Sequence, residues 1–397
     1  MQSFDVIIIG AGAAGLMCAQ AAGQRGRRVV VLDHAAKAGA KILISGGGRC
    51  NFTNLGAGPE CYISGNPHFA KSALKRYTQH DFLALVNRHR IAWHERRWGQ
   101  LFCDDSARQI VAMLLDECAA AGAAGGAVDI RLGSRVTDIS RPDDGFRVAT
   151  DQGDFTAPRL VLATGGLSIP KMGATGFALD VARRFGLAVT ETRPGLVPLR
   201  FADADLTMMR GLTGISLEAE VSCGKRRFRE ALLFTHRGLS GPAILQISNY
   251  WRPGEAISVN LLPDSDAAAV LAERKASRPK AELRTILAEL LPTRLAHALA
   301  DAHLPNPVMA NLSKAVMAQA AALLNGWRLL PTGDEGYGIA EVMAGGVDTA
   351  GLSSKTLEAR TVPGLHVIGE AVDVTGWLGG YNFQWAWSSG WCAGQAV

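Results

Sequence analysis

The stretch Gly10-Ala11-Gly12-Ala13-Ala14-Gly15 constrains this chain more than any other. Phe4-Asp5-Val6-Ile7-Ile8-Ile9 precedes it and reads as a fully buried parallel strand. The Ala-rich sequence from Leu16 to Arg25 reads as a helix, and Arg28-Val29-Val30-Val31-Leu32 as a second strand. A GxGxxG between strand and helix has a defined mechanics. The first glycine makes the tight turn, the second lets backbone approach a pyrophosphate, and the third lets the helix pack close to the strand. The helix N-terminus then faces the phosphate charge. Asp33 lies eighteen residues after Gly15, at the end of the second strand, where a carboxylate accepts hydrogen bonds from ribose hydroxyls and repels a 2′-phosphate. The arrangement predicts a dinucleotide site that disfavours NADP, and leaves FAD and NAD both open.

A chain of 397 residues is long enough for two or three domains and a sizeable core. With 19% charged residues it reads as a compact enzyme rather than a disordered chain. The net charge of +5 is small and spread out, and the clusters Arg25-Gly26-Arg27-Arg28, Arg88-His89-Arg90, Arg96-Arg97 and Lys225-Arg226-Arg227-Phe228-Arg229 read as solvated faces and turn tips. A small-molecule substrate is therefore expected, with no nucleic-acid partner. Cys18, Cys50, Cys61, Cys103, Cys118, Cys223 and Cys392 form no CxxC and match neither a zinc site nor a disulfide framework. Reduced thiols, no metal and a cytoplasmic location follow. The N-terminal apolar run is short, lacks a basic flank and already serves as the first strand. No apolar stretch is long enough to span a membrane. Oligomeric state carries no signal in the sequence.

Residues 34–67 read as a long functional loop, 68–90 and 106–121 as helices, and 128–139 as a strand or strand pair. Residues 146–150 and 154–163 alternate around a Gln152-Gly153 turn, as in a β-meander. Residues 177–186 read as a helix. Residues 191–262 carry short alternating strands with Gly and Pro turns, and 266–327 are helical with proline punctuation. Leu365-His366-Val367-Ile368 is a last buried strand, and 381–396 a last helix. Both ends of the chain thus read as parts of one α/β sheet. The expected division is a discontinuous nucleotide-binding domain of 1–190 and 328–397, a β-rich lid or substrate domain of 191–262 and a helical domain of 263–327. Such insertions commonly close a cleft over a cofactor.

Two further motifs carry chemistry. In Lys41-Ile42-Leu43-Ile44-Ser45-Gly46-Gly47-Gly48-Arg49-Cys50-Asn51, three successive glycines bare the backbone as an anion nest, and Lys41 and Arg49 add positive charge. In Gly369-Glu370-Ala371-Val372-Asp373, followed by Gly376 and Gly379-Gly380-Tyr381-Asn382-Phe383-Gln384, acids end a buried strand just before a helix opens. Such acids can bond the polyol chain of a flavin, and the helix N-terminus can stabilise the negative charge that reduction places on its pyrimidine ring. NAD has no polyol and gains no ring anion, so this signature favours FAD.

These segments resemble the BaiN/YhiN-type flavoproteins, FAD-binding oxidoreductases of the glutathione-reductase-like superfamily. The resemblance is carried by GAGAAG, KILISGGGRCNFTN, GQLFCDDSA, LATGG with a downstream GATG, GLSGPAILQIS and HVIGEAVDVTGWLGGYNFQWAWSSG, from residue 5 to about 394. SGGGRCN and GGYNFQ are its most specific parts. It implies an α/β fold: a Rossmann-like FAD domain, parallel sheet plus β-meander, interrupted by a β-barrel-like domain and a helical domain. It also implies a cofactor lined by Gly10, Gly12, Ala13, Ala14, Gly15, Asp33, Lys41, Ser45, Gly46, Gly47, Gly48, Arg49, Cys50, Asn51, Thr164, Gly165, Gly166, Gly369, Glu370, Asp373, Gly379, Gly380, Tyr381, Asn382 and Phe383, with Val136 bonding adenine through its backbone.

The function expected is hydride transfer between FAD and a small organic substrate, either enone-type reduction or amine oxidation, both of which the resemblance brings. Two other readings stay open: an FAD-dependent RNA-modifying enzyme, and a non-catalytic flavin-binding redox sensor. No second GxGxxG follows a strand, and Gly173-Ala174-Thr175-Gly176 lacks the spacing. If NADH or NADPH reduces the flavin, it binds transiently in the same cleft. No catalytic acid or base is assigned. Cys50, Tyr381 and Asn382 fall near the ring by motif, with Cys50 favoured as a packed thiol. His236, in the β-rich segment Thr235-His236-Arg237-Gly238, reads equally as a residue facing the cleft or as part of a surface turn.

Overall fold

The computed structural model describes residues 1–142 and 145–397, with Ala204 described by its backbone alone. The chain forms two units, residues 1–193 with 342–397, and residues 194–341.

The first unit is built on a five-stranded parallel sheet. Its strands are β1 (Val6–Ile9), β2 (Arg28–Asp33), a strand at Ala127–Leu132, one at Arg159–Leu162 and one at Leu365–Val367. The order across the sheet is Leu365–Val367, Arg159–Leu162, β1, β2, Ala127–Leu132. All four residues of β1 are buried, as a strand covered on both faces requires. From β1 the chain first adds β2 on one side and only later Arg159–Leu162 on the other. The order reverses there, and in open α/β sheets ligands bind beyond the strand ends at such a reversal. Helix α1 (Ala13–Gly23) follows β1, and the meander Val136–Ser140, Phe146–Thr150, Gly153–Ala157 forms a separate antiparallel ladder.

Residues 34–67 are more ordered than their composition suggests. They hold α2 (Ala40–Ile44), a 3₁₀ turn at Ser45–Gly48, and β3 (Asn51–Asn54). β3 pairs antiparallel with a strand at Gln100–Cys103, which also pairs with Trp93–Glu95. The helix expected over 68–90 is two, Ala70–Arg76 and Gln79–Arg88. Thr78 restarts the second with a reciprocal capping box to Asp81.

The last helix, Tyr381–Gly394, packs directly on α1. A Cβ on Gly390 would lie 2.5 Å from the Ala14 carbonyl oxygen, and one on Gly394 would lie 2.6 Å from the Ala21 Cβ, so only glycine allows this approach. Arg25 donates to the Gly394 and Val397 carbonyls, and Arg27 to Val397. The basic cluster read as a solvated turn therefore caps the negative end of the final helix.

The second unit holds a seven-stranded sheet in the order Trp327–Leu329, Ile257–Asn260, Ser216–Cys223, Arg226–Thr235, Gly238–Ser240, Leu199–Arg200, Gly333–Asp334. The helices Ala267–Ser277, Leu283–Leu290, Thr293–His303 and Lys314–Gly326 belong to the same unit. Residues 191–262 and 263–327, divided in the sequence reading, thus form one body. Trp327–Leu329 returns as a strand against Ile257–Asn260, so the unit ends at 341 instead of 327. All seven cysteines are free and buried. Among the described residues no helix is long and apolar enough to cross a membrane.

Candidate functional site

Three motifs leave the sheet at the C-terminal ends of neighbouring strands. Gly10–Gly15 follows β1, Thr164–Gly166 follows Arg159–Leu162, and Gly369–Glu370 follows Leu365–Val367. The strand ends stay in register: the Ala163 amide donates to Ile9 O at 2.8 Å, and the Ile368 amide to Leu162 O at 3.0 Å. Parallel pairing alone brings together residues more than 300 positions apart.

The glycines of the first motif differ in what they face. A Cβ on Gly10 would sit 2.4 Å from Ala163 O, and one on Gly15 would sit 1.9 Å from Gly10 O. A Cβ on Gly12 would meet nothing within 4 Å. Protein packing thus explains the first and third glycines, while the second borders open space at the N-terminus of α1. No side chain caps that terminus, so its first-turn N–H groups, from Ala13 onward, remain available to an anion. Asp33 sits beside the turn. Its Oδ2 accepts from the Ala11 amide at 2.6 Å and its Oδ1 from the Ala35 amide at 2.8 Å. It braces the glycine loop and keeps unused lone pairs for ribose hydroxyls.

Around the second and third motifs the structure places a polar cluster that sequence reading had divided. Lys41 Nζ lies 2.8 Å from Glu370 Oε2 and 2.7 Å from Ser168 Oγ. Glu370 Oε1 accepts from Ser168 Oγ at 2.7 Å and from the Met343 amide at 2.9 Å. Burial works against the Glu370 carboxylate, but the Lys41 ammonium and these donors outweigh it and hold its pKa below the usual range. Gly165 and Gly166 pack beside the same carboxylate, and a Cβ on Gly166 would lie 3.0 Å from Oε1. Lys41 was read as adding positive charge beside the glycine nest; its ammonium is paired with Glu370. Ser168 was not singled out, because nothing local marks a serine whose partner lies 202 residues away.

In the glycine loop, Gly46 and Gly47 adopt left-handed φ of 57° and 67°, and Cys50 follows with φ 52°. Gly47 faces open space; Gly46 packs on the Phe102 ring, 2.9 Å from where its Cβ would be. Gly48 O accepts from the Ala107 amide, and Ser45 Oγ donates to Ile42 O at 2.7 Å. The Arg49 side chain is exposed. Cys50 is fully buried, and burial pushes its thiol far up, so it stays protonated. The packed-thiol reading fits. Its neighbour Cys103 is pushed up to about 12 for the same reason.

At the opening of the last helix, Gly380 is the N-cap, with φ 95° and no side chain of its own to cap the helix. A Cβ on Gly380 would strike Thr53 O at 2.4 Å, and one on Gly379 the Gln100 side chain at 2.8 Å. Asn382, expected at the cofactor, spends its amide on the preceding turn, accepting from Gly376 N and donating to Gly376 O and Trp377 O. The Asn51 amide, in the orientation that suits its neighbours, donates to Leu101 O and Thr53 O and accepts from Gly380 N. Tyr381 is buried and its carbonyl accepts from Tyr62 Oη, while Phe383 stacks on Trp387. Asp373 accepts from the Gly65 amide at 2.9 Å, with burial raising its pKa. Val136 lies in the outermost strand of the meander, opposite Thr150. Gln384, fully buried, ties Thr53, Tyr77 and Ser388 together, and Trp387 donates to Phe52 O. Much of GGYNFQW thus positions the site through the protein itself.

FAD fits these residues. Gly12 leaves room where a pyrophosphate needs it, the uncapped N-terminus of α1 offers N–H groups, and Thr164 Oγ1 is a buried polar atom with no partner among the described residues.

The family model described as the HI0933-like protein Rossmann domain matches residues 4–396. The chain belongs to this HI0933-like family. The HI0933-like chain is 52% identical over 397 residues to the ribosomal RNA dihydrouridine synthase of Escherichia coli (strain K12), covering 100% of this chain and 98% of that one. It is 30% identical over 412 residues to the 3-dehydro-bile acid delta(4,6)-reductase of Clostridium scindens (strain ATCC 35704 / DSM 5676 / VPI 13733 / 19), with 98% of each covered. Among solved structures it resembles the 3-ketosteroid-delta4-(5alpha)-dehydrogenase of Rhodococcus jostii RHA1 in fold, with a TM-score of 0.50 at 14% identity, covering 99% of this chain and 97% of that one. The HI0933-like chain is an FAD-dependent oxidoreductase with a Rossmann-type cofactor domain.

Proposed function

We propose that this HI0933-like flavoprotein reduces a carbon–carbon double bond, and that the bond is C5=C6 of a uracil base in ribosomal RNA. The observation that carries the reading is identity of 52% along the whole chain with a protein named for making dihydrouridine in ribosomal RNA. The bile-acid relative, at 30%, is also named as a reductase. In uracil the C5=C6 bond is conjugated to the C4 carbonyl, so both names fit reduction of an activated double bond. This favours reduction over amine oxidation and moves the substrate from a small molecule to RNA. A cytoplasmic location is part of the same proposal, since ribosomal RNA would be the substrate.

When bound, FAD supplies the hydride. The chain's own groups do the rest. The N-terminus of α1 would hold the pyrophosphate, and Asp33 would accept from the ribose hydroxyls. The cluster of Lys41, Ser168 and Glu370 would supply polar partners for the polyol. The helix that opens at Gly380 would favour negative charge on the flavin ring. One hydride and one proton add across the base, a gain of two hydrogens. NADH or NADPH is proposed as the reductant, binding in turn with the RNA.

The test uses FAD-loaded protein under anaerobic conditions, with NADH or NADPH and a ribosomal RNA transcript. Nuclease digestion and mass spectrometry should find a uridine heavier by two hydrogens. Flavin reoxidation by a conjugated enone, with the RNA mass unchanged, would overturn the RNA assignment.

A further inference from the structure

The hairpin that joins Trp93–Glu95 to Gln100–Cys103 carries an unusual residue at its tip. Trp98 is 63% exposed and adopts left-handed φ 65°, ψ 28°. A large aromatic side chain at that conformation carries backbone strain that glycine would avoid. The tip is nevertheless held firmly. The buried Asn54 amide donates to Trp98 O at 3.0 Å and to Gly379 O at 2.9 Å. The Leu55 amide donates to Gly99 O, and the Arg96 amide to Gln100 O, both at 2.8 Å. One amide thus links the backbone of Trp98 to the glycine turn that opens the last helix.

Arg96 and Arg97 precede Trp98 in the chain, and both are exposed, as is Glu95 before them. Arg96 Nε also donates to His94 Nε2 at 3.3 Å. The Arg96 guanidinium lies 4.5 Å from the centroid of Phe102, whose ring packs on Gly46 of the cofactor loop. At the far end of the hairpin the Arg49 carbonyl accepts from the Cys103 amide, and its side chain is exposed. The carboxylate of Asp104 is taken up by His94, at 2.6 Å. One hairpin therefore carries an exposed indole at its tip, two arginines next to it in sequence and, through Phe102, a contact with the loop of the candidate flavin site, all within one unit.

We propose that Trp98 is a substrate-positioning residue that stacks an unpaired base of single-stranded RNA, with Arg96 and Arg97 on the neighbouring phosphates. This rests on the RNA reading above. A base must leave its stack before its ring carbons can be reached, and an indole supplies the replacement stacking surface. Duplex RNA would offer no free base face, so the occupant is a loop or unpaired segment.

The experiment measures binding of a labelled single-stranded ribosomal RNA fragment by fluorescence anisotropy across a salt series. It compares the parent, W98A, W98L, W98F and the double variant R96Q/R97Q, all loaded with FAD. W98A and W98L should each bind about tenfold more weakly with the parent's salt slope, and W98F should stay within about threefold. R96Q/R97Q should flatten the slope of log K against log salt by about 1.4. Flavin content and the rate of flavin reduction by NADH or NADPH should match the parent in every variant. RNA binding by W98L as tight as the parent's would overturn the role of Trp98 and leave the RNA reading standing. A parent that binds no RNA would remove both.

Discussion

Gly12 and Gly15 stand three residues apart in one motif, yet the structure gives them opposite duties. A Cβ on Gly15 collides with Gly10 O at 1.9 Å, whereas one on Gly12 meets nothing within 4 Å. Gly12→Ala should therefore fold with a Tm close to the parent's, and bind FAD at least tenfold more weakly because the methyl occupies the pyrophosphate's place. Gly15→Ala should lose stability by about 3 kcal/mol or fail to accumulate. Flavin-to-protein absorbance after gel filtration, beside a thermal melt, separates the two; full flavin occupancy in Gly12→Ala would refute the assignment. At this scale the sequence revealed Asp33 and the glycines because their spacing is local. It did not show what Lys41 and Asn382 bond within the protein: Lys41 bonds Glu370 from 329 residues away, and Asn382 closes its own preceding turn. Side-chain type marked both as polar site residues without stating what they hold.

At the level of elements, strands made of an unbroken apolar run were legible and short helices were not. β1 and β2 were read nearly to the residue. α2, five residues long, lay hidden in glycine-rich sequence read as loop. The helix Pro242–Ser248 was hidden for the opposite reason: five of its seven residues are buried, so it lacks the one-sided apolar period that announces a helix. Nor did composition reveal that Gly390 and Gly394 form the seam on α1. The tie between α2 and the Gly369–Glu370 turn gives a pH-dependent prediction. Glu370 has a lowered pKa in the fold, so the unfolded chain binds more protons than the folded one. Its contribution is complete above the unfolded value of about 4.3 and is lost as pH falls through the folded value. Lys41→Met reverses the sign: burial then raises the Glu370 pKa, and stability falls as pH rises toward neutrality. The pair is partly exposed, Lys41 by 33% and Glu370 by 20%, so the loss at pH 7 should be about 2 kcal/mol, below the range for fully buried pairs. Urea midpoints of parent and variant should diverge between about pH 4 and 7; a gap that stays constant would show that Glu370 does not depend on Lys41.

For the whole molecule, one feature decides how the polypeptide is divided. Residues 194–341 begin and end side by side: the Glu341 amide donates to Leu196 O, the Glu335 amide to Pro198 O, and the Thr332 amide to Arg200 O. Neighbouring termini are what an inserted domain needs if its host is to close around it. The unit also has its own core. Leu232, Phe234, Ile244 and Ile247 on the sheet side are fully buried, as are Leu271, Ile286, Leu287, Leu295 and Leu299 on the helices. At roughly 150 residues such a body buries enough surface to fold unaided. The sequence divided it in two because its β-rich and helical halves follow one another without mixing, and local pattern cannot show that Trp327–Leu329 returns to the sheet. The segment 194–341 expressed alone should therefore give a single cooperative urea transition, with mixed helix and strand by circular dichroism. Residues 1–193 alone should not, because they lack both the edge strand Leu365–Val367 and the helix that covers α1. A non-cooperative melt for 194–341 would mean that its core depends on the cofactor domain, and that the insertion is an extension of that domain instead of a second body.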